Sequence, residues 1–172
     1  MKRTPLEAEI VYRLATAADL PKLEWMGEYT HFRRVFQKTF REQQLGERLM
    51  LVAEFNDFPI GQIFVLLRDK NSWTRDRGYL YSLRVMRPFQ GLGIGTALIR
   101  QAEGLLHAQN IRWALIAVAK ENNVAKRLYE REGYIIYAED EGHWSYENHE
   151  GEIIHVHEPC WMLEKRLRPL VL

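Results

Sequence analysis

Leu83 to Thr96 reads LRVMRPFQGLGIGT, and the fold turns on this stretch. It leaves the end of an apolar run, crosses a short Pro-bearing connection, and meets glycines at 91, 93 and 95 just as a helical pattern begins. Glycine tolerates backbone angles that side chains forbid, so such a turn can bring bare N–H groups close to a ligand. Ile94, Leu98, Ala102, Leu105 and Leu106 then recur at helical spacing, which points the unpaired N–H donors of a first helical turn into the same place. A strand, a glycine turn and a helix start in that order make an anion cradle.

On either side of the turn, the elements can be read from their periodicity. Tyr79–Val85 (YLYSLRV) is the strand that feeds it. Ile94 to about Gln109 is the helix that leaves it, and Arg112–Ala119 (RWALIAVA) reads as a buried strand. Together they form one crossover unit. Upstream, Ile10–Leu14 is a short strand, and Thr16 with Asp19 in its first turn opens a helix expected to reach about Gly27. A second helix, from Tyr29 to about Gly46, carries Phe32, Val35, Phe36, Thr39 and Phe40 at spacings of three and four. Core packing is the expected use of that stripe, with a substrate-lining wall as the alternative. Leu49–Phe55 and Ile60–Leu67 form a hairpin about Asn56-Asp57-Phe58-Pro59, followed by a polar loop, KNSWTRDRG.

Downstream of the crossover, Asn122 or Asn123 caps a helix whose buried side is Ala125, Leu128 and Tyr129 and which Gly133 stops. Tyr134–Ala138 is a strand, Gly142–Glu158 an added hairpin about Asn148-His149-Glu150-Gly151, and Cys160–Leu167 a final strand. Strands without following helices, then one crossover, indicate an α/β chain of the α+β kind: a mixed sheet, not a doubly wound one.

The composition narrows the function classes. In 172 residues, 24 basic and 23 acidic side chains nearly cancel, so no overall field recruits nucleic acid or an anionic membrane, and an anion must be held locally. The hydrophobic share of 47% against 27% charged is that of a soluble globule. The length predicts one domain over residues 1–172, with the hairpin near 142–158 as an addition. The first residues hold no apolar signal core, no run approaches the roughly 20 residues of a membrane span, and Cys160 has no internal partner. A cytoplasmic setting is expected.

The chain resembles the GNAT superfamily of acyl-coenzyme A dependent N-acyltransferases. Gln90-Gly91-Leu92-Gly93-Ile94-Gly95 follows a strand and opens a helix, and a second signature comes about thirty residues on: Asn122, Ala125, Leu128-Tyr129 and Gly133-Tyr134. The order of elements matches from Ile10 to Leu167. A dinucleotide fold is the competing reading of the glycines. It is disfavoured because Thr96 stands where the third glycine belongs, the unit lies behind a hairpin, and Arg112–Ala119 offers no acidic residue for a ribose.

The resemblance implies a central mixed, mostly antiparallel sheet flanked by helices, with acetyl-CoA as co-substrate and an amine as acceptor. Gly91, Leu92, Gly93, Ile94, Gly95 and Thr96, with Gln90 at the turn, would hold the pyrophosphate through main-chain N–H groups. The main chain of Leu83 and Val85 would pair with the pantetheine arm, and the Val85 N–H would face the thioester carbonyl as oxyanion donor. Asn122 would contact the coenzyme arm while capping its helix. Tyr129 would be the general acid, since a phenol with a reference pKa of about 10 keeps its proton until a thiolate departs; a packed structural tyrosine is the alternative. No carboxylate lies between Tyr79 and Val85, which leaves Glu54, Glu28, His143, Tyr81 or a water as candidate base.

His143, His149, His155 and His157 with Cys160 match no established metal-binding spacing, so no metal is expected, and the hairpin is read as shaping the acceptor pocket. Trp144, Tyr146 and Trp161 are expected to pack. The final strand and the hairpin are sheet edges on which a homodimer could form. The overall expectation is an N-acetyltransferase acting on a primary amine of a small molecule, a peptide or a protein. A non-catalytic acyl-CoA sensor of the same fold is the second reading.

Overall fold

The computed structural model describes residues 1–5, 7–67 and 76–168. Nine strands and three α-helices are described: β1 (Val11–Leu14), α1 (Arg33–Gln44), β2 (Arg48–Phe55), β3 (Phe58–Leu66), β4 (Arg77–Val85), α2 (Ile94–Ala108), β5 (Trp113–Ala119), α3 (Asn123–Arg131), β6 (Ile135–Asp140), β7 (His143–Glu147), β8 (Ile153–His157) and β9 (Cys160–Arg166). Residues 70–75 of the expected KNSWTRDRG loop lie outside the described residues, and Arg77 already belongs to β4.

Seven strands form one sheet in the order β1-β2-β3-β4-β5-β9-β6, and β7-β8 stand apart as a hairpin. Every pairing in the large sheet is antiparallel except β4 with β5, the pair that the crossover through α2 joins. One face buries Leu98, Ile99, Ala102 and Leu106 of α2 against Ile63, Val65, Leu80 and Ile116. The other packs Phe36 of α1 against Met50, Val52 and Phe64. A fully buried side chain of this kind contributes about 1.5–3 kcal/mol, so these two layers hold the sheet rigid beneath its loops. Gly78 lets α2 settle close: a Cβ there would lie 2.2 Å from Leu106 Cδ2.

Several expectations are corrected. The segment from Thr16 to Gly27 is no α-helix. It makes 3-10 turns at Ala17–Asp19 and Lys22–Gly27, broken by left-handed Trp25 (φ 42) and Met26 (φ 56). Tertiary contact outweighs local propensity there, because the buried Trp25 indole donates to Pro59 O at 2.8 Å. The second helix begins only at Arg33, after a 3-10 turn at Thr30–Phe32. The first hairpin turns on Asn56 and Asp57 alone, both left-handed (φ 48 and 60), and Pro59 enters β3 where the ladder is irregular, opposite Glu54. The final strand is not an edge: β9 lies between β5 and β6, and β1 and β6 are the edges.

Strand β4 is irregular in two places. Tyr81 faces Phe64 and Arg84 faces Gln62, so β4 spends three residues where β3 spends two; this bulge carries Ser82 at φ 53. The ladder to β5 stops at Leu80–Ile116, leaving Tyr81–Val85 without a strand on that side. The sheet therefore splits in the middle of its width.

Candidate active site

The split and the start of α2 lie end to end. Gly91 (φ 75) and Gly93 (φ 82) are left-handed, and nothing lies within 4 Å of where either would carry a Cβ, so the turn is bare on its outer side. Gly93 caps α2 without a side-chain bond, and the first helical bond runs from Ala97 N to Gly93 O at 3.0 Å. The N–H groups of Ile94, Gly95 and Thr96 therefore have no partner within the helix, at the end where the helix dipole favours negative charge. The residues fit a pyrophosphate. Leu92 is exposed, and the Gln90 side chain turns back to donate to Val85 O at 2.8 Å, bracing the turn against the strand end.

On β4, Met86 N donates to Ile60 O at 2.8 Å, across to β3. Alternation along the strand turns the Val85 N–H the opposite way, into the space that β5 has left. Asn122 caps α3 by accepting from Ala125 N at 3.1 Å, which settles the choice between the two asparagines. About two turns on, Tyr129 is 6% exposed and its ring meets Tyr134, yet no described residue bonds its hydroxyl. Burial, with Tyr79 nearby, pushes its phenol up to about 12, so it stays protonated across the physiological range.

Tyr129 opens on a cleft of about 1270 Å³ together with Ser82, Leu83 and Arg84 of β4 and Ala117 and Ala119 of β5. Gly142, His143 and Trp144 form a further part of its wall. A smaller cavity of about 550 Å³ brings Val85 and Gln90 together with Trp25, Glu28 and Tyr29. The hairpin roofs the first cleft: Tyr146 packs on Phe32 with ring centroids 4.8 Å apart, and Glu147 pairs with Arg34. Phe36 and Thr39 are buried while Phe32 lines the cleft, so the α1 stripe serves both core and wall. Trp161 packs as expected, under Lys120 at 4.6 Å, and Trp144, though half exposed, packs on Tyr146 with ring centroids 5.4 Å apart.

The candidate bases separate. Glu54 pairs with Arg13, and the Tyr81 hydroxyl receives Arg48 Nη1 at 2.6 Å. His143 stacks on His157 at 4.2 Å between centroids. Glu28 alone of the four shares a cavity with Val85. The histidines do not gather as a set with Cys160, which is buried; Glu141, His143 and His157 bring their ligand atoms within 4.8 Å of one another, all on exposed side chains. Arg84 carries no signal in the sequence, because it reaches its face only through the bulge at Ser82.

Residues 15–134 match the model of the acetyltransferase (GNAT) family. An uncharacterized N-acetyltransferase of Methanocaldococcus jannaschii is 33% identical over 84 residues, which are 48% of this chain and 50% of that protein, so the chain spans about half the length of this curated relative. Among solved structures, an N-acetyltransferase from Staphylococcus aureus superposes with a TM-score of 0.73 at 13% identity, covering 93% of this chain and 99% of that one. Arabidopsis thaliana NAA60 in complex with acetyl-CoA gives 0.69 at 20% identity, covering 92% and 99%. The structural likenesses show the fold, and the family match, over more than half the chain and across both signatures, shows that the chain belongs to the acetyltransferase (GNAT) family.

Proposed function

We propose that the protein is an N-acetyltransferase that moves an acetyl group from acetyl-CoA to a primary amine by direct attack on the thioester. The observation that carries this reading is the buried Tyr129 side chain, whose hydroxyl has no partner among the described residues and which opens on the cleft where β4 and β5 part. The turn from Gly91 to Thr96 takes the pyrophosphate, and Leu83 and Val85 offer main chain to the pantetheine arm. Asn122, its side chain engaged in the cap, flanks the arm at the start of α3.

The Val85 N–H supports charge on the thioester oxygen as the amine attacks. Glu28, at the cavity that holds Val85, takes the amine proton directly or through one water. Tyr129 gives its proton to the departing thiolate. No metal enters this scheme. One domain, a cytoplasmic setting and a homodimer belong to the proposal as well; no described helix is long and apolar enough to cross a membrane.

Thiol release from acetyl-CoA against a panel of amines tests the reading. Acceptor-dependent release is expected. Tight coenzyme binding with no acceptor-dependent thiol would leave the sensor of the same fold as the better account.

A further inference from the structure

Arg84 is the residue of the cleft that the reaction as proposed does not use. The bulge at Ser82 shifts the alternation of β4: Leu83 and Val85 pack on the α2 side, whereas Arg84 joins Tyr81 on the α1 side. There its guanidinium lies 4.1 Å from the Tyr29 ring centroid, 4.9 Å from Phe32 and 5.9 Å from Phe36. Three rings surround the group within cation–π range.

What the rings do not supply is a carboxylate. Nη1 is buried with no hydrogen-bond partner, and no described carboxylate pairs with Arg84. Burial pulls its pKa down, which a hydrogen bond to the Tyr29 hydroxyl and the charge of Glu28 only partly offset. Of the other arginines lining the same cleft, Arg34 pairs with Glu147 and Arg48 with Glu42, while Arg41 is exposed to solvent. An unanswered buried donor is costly, and a guanidinium already held in place by its neighbours is prepared for the bonds a carboxylate makes. Arg84 is also the direct neighbour of Val85 in the chain.

We propose that Arg84 holds a carboxylate of the acceptor, making the acceptor a small amine that also carries a carboxylate, such as an amino acid. The inference rests on the acetyl-transfer reading for the identity of the second group, the amine. It does not rest on it for the carboxylate site itself.

The test compares matched acceptors with and without the carboxylate: L-phenylalanine with phenethylamine, L-lysine with cadaverine, and δ-aminovalerate with pentylamine. At saturating acetyl-CoA, at least one carboxylate-bearing member is expected to show kcat/KM about tenfold or more above its partner, mainly through KM. Arg84→Gln brings that ratio to about one, and Arg84→Lys restores part of it. Equal rates within every pair for the unaltered protein, or a preference that survives Arg84→Gln, would overturn the proposal. Circular dichroism and coenzyme affinity check that the variants fold, and if Arg84→Gln does not, the Arg84→Lys ratio decides, a ratio as high as that of the unaltered protein counting against. Should no amine be acetylated, N-acetyl-L-phenylalanine binding followed by tryptophan fluorescence separates the two claims. Binding weakened about tenfold by Arg84→Lys or Arg84→Gln supports the carboxylate site although the transferase reading has failed, and absent or unchanged binding removes it.

Discussion

Among single residues, the site divides into groups defined by spacing and groups defined by position in space. Gly93 and Tyr129 are of the first kind: the alternation of glycines and the interval from Asn122 to Tyr129 are legible in the chain itself. Gly93→Ala forces a side chain into a left-handed angle, at about 1–2 kcal/mol of stability, with no atom of the protein in its way. Coenzyme affinity, measured by calorimetry, is expected to fall at least about tenfold, more than strain alone explains, because the new methyl group projects where the pyrophosphate would lie. Glu28 is of the second kind. It lies in a segment that turns through two left-handed residues, and only the folded chain brings it to Val85. Glu28→Gln should lower kcat by about 10²-fold or more with coenzyme affinity retained, read by steady-state thiol release. Arg84 is likewise silent in sequence, since nothing in YLYSLRV announces a bulge, and without one its side chain would point into the α2 core.

Among the elements, the long periodic segments α2, α3 and the sheet strands are legible because burial enforces one period over many residues. The segment between Thr16 and Arg33 is not. Its capping pattern is real, with Thr16 N donating to Asp19 Oδ2 at 2.7 Å, but the burial of Trp25 breaks the helix that the cap would start. Arg13 then ties the turn to the sheet through Asp19 and Glu54. Burial would raise the Asp19 carboxyl, yet Arg13 and Thr16 outweigh it and hold it below the usual range. The tie therefore adds stability above the ordinary carboxylate pKa and loses it as pH falls through the depressed value. The hairpin β7-β8 depends on a close approach: a Cβ on Gly142 (φ 66) would lie 1.8 Å from Glu158 O. Gly142→Ala is expected to displace the roof over the cleft, raising KM for the acceptor while leaving the coenzyme Kd near its original value; unchanged acceptor kinetics would show that the hairpin does not shape that pocket.

In the molecule as a whole, a sheet split in its middle gives two open walls to one cleft, which the aromatic face of α1 also lines. The family and the sheet were legible because two spaced signatures and one crossover unit constrain nearly the whole chain; the interior place of β9 was not, since strand order is set by pairings distant in sequence. Tyr79 and Tyr129, raised from 10.0 to about 12 by burial, are protonated in folded and unfolded chains alike below pH 10. Above it the unfolded chain releases those protons first, so Tm is expected to drop between about pH 10 and 12, a loss that Tyr129→Phe should reduce. The proposed chemistry depends above all on Tyr129 protonating the leaving thiolate at the split. Acceptor-dependent thiol release by Tyr129→Phe, with its acetyl-CoA Kd determined alongside, probes that step itself. A fall in kcat of about 10²–10⁴-fold at nearly unchanged Kd is expected; unimpaired turnover would contradict it.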